Sequence, residues 1–452
     1  MAGDSFIHIR NTHLLGWCLF SRFLGQKYCS QMRLTVSNDK DNNLKILVIG
    51  CGKMGSVIAW DLCRYEEVVS VGLVDNYAPS LENAAAWIQD KRVTTHLIGS
   101  SFREPLTELM KSYDVGIGAL PMIRQTNQLI EMAVEAEMNV VDIYGEYYRR
   151  PDEAYLDGFN IPPDITAEAY GEMLHQQAMG KNISILCCMG FAPGLSNMTL
   201  GHGIAQMDQA HTAIARVGGI PDSSVADKYP MKYMVTWCWD QAIDSAMDKT
   251  RILKDGTLQY VDAMSEYELF RFKEFGKNLE LEAFITPGME SFLYTRPELD
   301  TCYEKTIRWP GYKDSMSFLQ SCGFFDKKPI RFNDRNIVPR EVAARIMEPE
   351  LASQKGDADE SIMWNTVTGE KEGQFTQIDY FMWVDSDSDY NISSMARATG
   401  FPASIAAVLM GRGHSIPRGI VSPEEAFDRA LYTSMIDELG MKGVVIKESA
   451  TG

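Results

Sequence analysis

Nowhere does the 452-residue chain carry the run of about eighteen apolar residues that a membrane-spanning helix needs, so it reads as a soluble protein with no membrane partner. Basic stripes are also missing. With a formal net charge of −18, the surface repels a phosphate backbone, which excludes nucleic acid as an expected partner. There is no C-x-x-C, and of the nine cysteines only Cys187 and Cys188 are adjacent. A disulfide framework is therefore excluded and a reducing, cytoplasmic setting is expected. The seven histidines never fall at i, i+4 or beside a cysteine, so no structural metal site is expected. Asp385-Ser-Asp-Ser-Asp389 has the acidic spacing of a calcium loop, but Tyr390 stands where the glycine is needed and Ala396 where the bidentate Glu belongs. It reads as a solvated turn. Internal repeats are absent too.

What is present is a globular composition, 45% hydrophobic and 23% charged, in a chain long enough for two or three domains. Residues 1–43 stand apart. Apolar pieces such as Leu14 to Phe20 are interrupted by Arg22 and Lys27 and followed by the polar run Ser37 to Asn43. This is either a targeting peptide or, the reading taken here, a loosely docked arm or upstream start, with Met32 as an alternative initiator.

The informative part begins at Lys45-Ile-Leu-Val-Ile49, a short β-branched apolar run leading directly into Gly50-Cys-Gly-Lys-Met-Gly55. Met54, Val57, Ile58 and Leu62 then recur at helical spacing, so the glycines sit where a strand turns into a helix. In that position each has a task. Gly50 makes the turn, Gly52 lets the backbone approach a pyrophosphate, and Gly55 lets the helix lie close to the strand. The helix N-terminus at Lys53 and Met54 supplies free N–H groups for the phosphate charge. A second strand, Val68 to Val74, ends at Asp75, 20 residues past Gly55, where a carboxylate accepts hydrogen bonds from the ribose hydroxyls of NAD and repels the 2′-phosphate of NADP. NAD is the expected cofactor.

Further short strands are expected at His96 to Gly99, Asp114 to Gly118, Val140 to Ile143 and Ile183 to Cys188, with a helix carrying Leu129, Met132 and Ala133 between them. Strands alternating with helices imply an α/β fold, a Rossmann-type parallel sheet covered on both faces. After Gly194 the pattern becomes mixed α+β, with a hairpin at Lys254-Asp-Gly-Thr257 and extended segments at Leu279 to Ile285 and Gln377 to Val384. Pro402 is expected to open a helix carrying Ile405, Val408 and Leu409. Ser422, with Pro423 and Glu425, caps another. Gln354 to Glu360 reads as a charged loop.

Candidate chemistry gathers at two places. Asp142 sits near a strand's carboxyl end, where it either contacts a substrate ammonium or is a carboxylate satisfied by a neighbouring helix terminus. Tyr144, Tyr147 and Tyr148 either line the same mouth or belong to the core. Arg308, in Lys305-Thr-Ile-Arg-Trp-Pro-Gly311, has the fixed fork that suits a carboxylate, with a surface salt bridge as the alternative. Cys187 and Cys188 read as small apolar fillers rather than nucleophiles.

Four stretches carry a family resemblance: Lys45 to Gly55; Gly190-Phe-Ala-Pro-Gly194 with Asn197; Tyr303 to Gly311; and Met395 to Thr399 running through Gly411-Arg-Gly413 to Ser422-Pro-Glu424. The chain resembles the saccharopine dehydrogenase-like family, and within it the lysine 6-dehydrogenase group. The resemblance implies NAD at Gly50, Gly52, Gly55 and Asp75, with Asp142 and Tyr144 facing a catalytic cleft. It places Arg308 on the substrate, with Tyr312 and Thr236 as further expected contacts. It also implies a discontinuous first domain: residues 44–194 bind the dinucleotide, 195–385 bind substrate and support a homodimer or higher oligomer, and the C-terminal segment 386–452 returns to the first domain.

Ala192 stands where saccharopine-cleaving relatives carry Asp, which tilts the implied substrate toward lysine. Tyr312 replaces the histidine common in the family. Trp237 and Trp239 make the pocket bulkier than the pattern implies. The implied reaction is oxidative deamination of L-lysine at its 6-amino group, giving a semialdehyde that cyclises. Alternatives are a saccharopine or related opine-type dehydrogenase, and a non-catalytic NAD sensor.

Overall fold

A computed structural model describes residues 43–99 and 103–451; the N-terminal arm, with Met32, lies outside the described residues. The first sheet collects the short apolar runs. Its strands are β1 (Leu44–Ile49), β2 (Val68–Asp75), β3 (Val93–Leu97), β4 (Val115–Gly118), β5 (Asn139–Asp142) and β6 (Ser184–Leu186). All are parallel, and a seventh strand, Gly419–Val421, joins beside β6. The spatial order β3-β2-β1-β4-β5-β6 reverses direction between β1 and β4, and a crevice opens at such a switch point beyond the strand ends. β1 is buried except at Lys45, as a strand covered on both faces must be. The helix Lys53–Leu62 packs against the sheet through Val57, Ile58 and Leu62, and Ile123–Ala136 through Leu129, Met132 and Ala133.

The second sheet has nine strands. They include β7 (Gln209–Pro221), β8 (Lys249–Lys254), β9 (Thr257–Asp262), β10 (Glu268–Phe272), β11 (Leu279–Thr286) and β12 (Thr301–Arg308), all of which but β10 reach the site. β12 runs parallel to β7 and antiparallel to β11. Asp255 and Gly256 both take positive φ in the β8–β9 turn, the geometry that an Asp-Gly hairpin sequence specifies. The chain beyond Asp385 serves both sheets, since Gly419–Val421 extends the first and Ile446–Thr451 pairs with Gln374–Asp385 of the second.

Three expectations are corrected. The third strand lies at Val93–Leu97, earlier than its apolar residues suggested, because its side chains are mostly exposed at the sheet edge. The helix expected to open at Pro402 begins eight residues sooner at Ser394, where the Ser393 hydroxyl accepts from the Ala396 N–H. Pro402 is an interior residue. Finally, Asp359 and Glu360 are not loop residues: they begin a buried strand, with Asp359 bonded to Ser394 and Glu360 to Lys277. Their pairing with cap and lysine makes burial of two charges tolerable, which composition alone does not reveal.

Candidate active site

A cavity of about 980 Å³ runs from the glycine turn after β1 to the face of β11 and β12. At the end of the cavity beside β1, Gly50 has φ +100°, and a Cβ there would stand 2.3 Å from the Ala119 carbonyl oxygen. A Cβ on Gly55 would meet the Gly50 carbonyl oxygen at 1.8 Å. Both positions therefore require glycine for close packing. Gly52 differs: no heavy atom lies within 4 Å of its missing Cβ, and it opens onto the cavity. The helix N-terminus at Gly52 carries no side-chain cap, so its N–H groups are left for an anion. Gly50, Gly52, Lys53, Met54 and Asp75 line the cavity, while Gly55 packs behind it. Asp75 is held by the Cys51 N–H at 2.7 Å and the Tyr77 N–H at 2.9 Å. An open glycine, an uncapped helix start and an oriented carboxylate fit a dinucleotide.

The β5 end differs from expectation. Asp142 is buried and lies behind the cavity wall, against the last residue of β4: a Cβ on Gly118 would come within 2.4 Å of its Oδ1. Its Oδ2 accepts from the Tyr148 hydroxyl at 2.7 Å and the Tyr144 N–H at 3.1 Å. Oδ1 has no partner. Burial raises its pKa to about 7 despite those two hydrogen bonds. Of the three tyrosines, only Tyr144 lines the cavity. Tyr148 is committed to Asp142, and Tyr147 to Glu425 at 3.0 Å. Thr236 is likewise buried away from the cavity, which Trp237 and Cys238 line instead. Cys187 and Cys188 are buried free thiols, Cys187 pushed upward by burial and Cys188 by its hydrogen bond with Cys187 and by burial, unsuited to nucleophilic work.

Arg308, at the end of β12, lines the cavity with Tyr312 beside it. It is 7% exposed. Nη1 donates to the carbonyls of Ile307 at 2.8 Å and Gly219 at 3.4 Å, and the guanidinium lies 5.1 and 5.4 Å from the rings of Tyr233 and Tyr312. Its Nε has no acceptor. Glu282 stands directly across the ladder, yet its two oxygens are taken by the N–H groups of Gly311 and Lys313. Among the described residues no carboxylate pairs with Arg308. A buried guanidinium left in this state is complementary to an anion supplied by a ligand.

The sequence reading missed a group of acids at the same cavity. Glu146, Asp152, Glu290 and Glu304 line it together with Arg251, which pairs with Asp152 at 2.9 Å and Glu290 at 2.8 Å. Burial pushes Glu146 up to about 8 and Glu304 well above its ordinary range. A period-two signal was available, because Glu304, Thr306 and Arg308 alternate along one extended segment and share one face.

A sequence model described as the saccharopine dehydrogenase C-terminal domain matches residues 190–444, and one described as the saccharopine dehydrogenase NADP binding domain matches residues 46–170. Carboxyaminopropylagmatine dehydrogenase of Synechocystis sp. is 19% identical over 409 residues, 88% of this chain and 96% of that protein. Alpha-aminoadipic semialdehyde synthase of Arabidopsis thaliana is 22% identical over 364 residues, 62% of this chain and only 33% of the relative. Apo saccharopine dehydrogenase (L-Glu forming) of Saccharomyces cerevisiae superposes with a TM-score of 0.70 at 16% identity, over 90% of this chain and all of that one, which shows a shared fold.

Proposed function

Since the chain belongs to the saccharopine dehydrogenase family and is a nicotinamide-dependent oxidoreductase of amino-acid-like substrates, we propose that it oxidises the carbon bearing the side-chain nitrogen of a basic α-amino acid, L-lysine first, with NAD as cofactor. One observation carries this reading: Arg308 is buried, faces the cavity and lacks a carboxylate partner, so a substrate α-carboxylate completes it. The preference for NAD rests on Asp75, whose charge opposes a 2′-phosphate, although the matching domain description names NADP.

Bound nicotinamide supplies the acceptor for the hydride. The residues do the rest. Arg308 fixes the carboxylate end, and Tyr144, whose burial pushes its phenol upward and keeps it protonated, acts as a hydrogen-bond donor at the wall rather than as a base. Asp142 acts through Tyr144, gripping its backbone from behind. Oxidation converts the amine to an imine, water adds, and ammonia leaves with an aldehyde. The amine must first be neutral although its reference pKa is about 10.4, so turnover rises toward alkaline pH.

A secondary amine is the second reading, favoured by the Synechocystis relative, whose name describes a carboxyaminopropyl derivative of agmatine. Saccharopine itself, with extra carboxylates, finds no second free arginine among the described residues that line the cavity, because Arg251 is already paired twice. The seven described cysteines are all unpaired, which supports a reducing compartment such as the cytoplasm. Exposed Leu258, Tyr260, Tyr267 and Leu269, on and beside β9 and β10, support association of the second domain with another copy.

The test is a screen of diamino acids and opines for NADH formation with simultaneous ammonia release, repeated with Arg308→Lys. L-lysine turnover with ammonia is expected, with a Michaelis constant raised about tenfold or more in the variant and little change for a decarboxylated diamine. Equal losses on both substrates show a structural arginine instead.

A further inference from the structure

The acids around Glu304 are unusual because they line a cavity and are only partly neutralised. Glu304 is 5% exposed, and its Oε2 has no hydrogen-bond partner. Its carboxyl is packed against Gly288, where a Cβ would stand 2.2 Å away, so only glycine at that position leaves it room. Thr286, directly across the ladder, pairs its hydroxyl with that of Thr306 at 2.8 Å, and Oε2 of Glu304 is left unanswered. Arg251 is the cation of this group, and its guanidinium is shared between Asp152 and Glu290. Glu146 takes the Asp152 N–H at 2.9 Å through Oε1 alone. Four carboxyl groups thus line a wall that holds one paired guanidinium.

The same strand carries the opposite charge. Glu304 and Arg308 lie on one face of β12, separated by four residues, or roughly 13 Å of strand at about 3.3 Å per residue. A ligand whose carboxylate meets Arg308 therefore extends along a wall that changes from basic to acidic.

We infer that the Glu304 end of the cavity is a subsite for a cationic nitrogen group of the substrate, an ammonium or guanidinium borne at a distance from the carboxylate that Arg308 holds. This rests on the reading of Arg308 as the carboxylate clamp. At rest Glu304 keeps its proton, because burial and the neighbouring Glu290 charge both favour the neutral acid. An arriving cation supplies the missing partner and favours the carboxylate, so binding releases a proton. The subsite also gives the cavity a reason to reject chains ending in a second carboxylate, which would find there no free cation to pair with, since Arg251 is already shared between Asp152 and Glu290.

Calorimetry on the full chain with NAD present tests this with L-lysine, L-norleucine and agmatine as probes. Norleucine keeps the carboxylate and the alkyl chain but lacks the distal nitrogen; agmatine keeps a cation and lacks the carboxylate. L-lysine is expected to bind at least about tenfold tighter than norleucine, the scale of one charge-assisted hydrogen bond. Glu304→Gln, a neutral isostere of the resting acid, should remove that difference and leave norleucine unchanged. The proton released on lysine binding, read from buffers of different ionisation enthalpy, should vanish in the same variant.

Arg308→Lys should weaken lysine and norleucine and spare agmatine. Equal affinity of the unmodified protein for lysine and norleucine overturns the subsite without reference to any variant, as does a Gln variant that loses norleucine as much as lysine. The two readings separate cleanly. Glu304-dependent binding of lysine or agmatine without NADH formation leaves the subsite standing and removes lysine oxidation, whereas turnover insensitive to Glu304→Gln does the reverse.

Discussion

The backbone N–H of Cys51 donates a 2.7 Å hydrogen bond to Oδ2 of Asp75, tying the glycine turn after β1 to the carboxylate that ends β2. The other oxygen of Asp75 accepts from the Tyr77 N–H, so the group that would read the adenosine ribose is fixed from both sides. A fixed negative charge discriminates against a 2′-phosphate better than a mobile one. NAD is expected to be preferred over NADP by at least about tenfold in kcat/KM, roughly 1.4 kcal/mol, and Asp75→Ser should erode that preference. Equal use of the two cofactors by the unmodified enzyme removes the assignment.

Gly52 and Gly55 make a paired prediction, because one missing Cβ faces empty cavity and the other faces backbone. Gly52→Ala has φ −78°, which alanine accepts, and should change stability by no more than about 0.5 kcal/mol. Its methyl group would press on a bound pyrophosphate at a cost of about 1–3 kcal/mol, weakening NAD binding roughly fivefold to a hundredfold. Gly55→Ala collides with the Gly50 carbonyl and should lower the melting temperature as well. Titration of NAD alongside thermal melting separates the two, and a destabilised Gly52→Ala with normal NAD affinity contradicts the placement of the phosphates.

Much of the fold was legible because period and punctuation agree. The β-branched run before Gly50, the helical spacing after it and the acidic end at Asp75 all specify one strand–turn–helix–strand unit. The candidate site was legible where a local motif sets it, as at Gly50, Gly52 and Arg308. It was not legible where packing between strands decides. Asp142 ends its strand as expected, yet the missing side chain of Gly118 on the next strand gives its carboxyl a place behind the wall. Thr236 is displaced from the cavity while its neighbours Trp237 and Cys238 line it. The acids facing Glu304 come from segments more than a hundred residues apart, and nothing local to Glu146 or Asp152 announces that they meet.

Burial of Asp142 has a consequence for stability against pH. Its folded pKa is about 7, against an ordinary 3.8, so the native state holds a proton that the unfolded chain releases. That contribution is fully present below about 4 and is lost as pH rises toward 7. Glu146, raised to about 8, acts in the same direction over an overlapping window, while His175, lowered by burial, opposes it. Asp142→Asn resembles the protonated acid and carries no charge at any pH. Relative to the unmodified protein, its melting temperature should therefore improve between about pH 4 and 7 and level off above that, in melting curves taken from pH 4 to 8. A difference that stays flat, or that runs the other way, shows that the Asp142 carboxylate is already ionised in the native state.

Regiochemistry discriminates most sharply among reactions, since the hydride must leave the carbon that bears the departing nitrogen. With Arg308 holding the α-carboxylate and the opposite end of the cavity lined by acids, the side-chain nitrogen of lysine, and not the α-amine, is the one expected to be lost. L-lysine deuterated at carbon 6 should then deliver one deuterium to the nicotinamide and turn over more slowly if hydride transfer limits the rate. Deuterium at carbon 2 should stay in the product. The products differ as well, because loss of the 6-amine gives an aldehyde that closes a ring on the retained α-amine, whereas loss of the α-amine gives a 2-keto acid. Mass spectrometry of the reduced cofactor and of the product reads both. Deuterium arriving from carbon 2 would reverse the orientation proposed for the substrate, and glutamate released from saccharopine with no activity on lysine would replace the substrate altogether. In either case the assignment proposed for the nucleotide at Gly50, Gly52 and Asp75 would be untouched, because its geometry does not depend on which amine is oxidised.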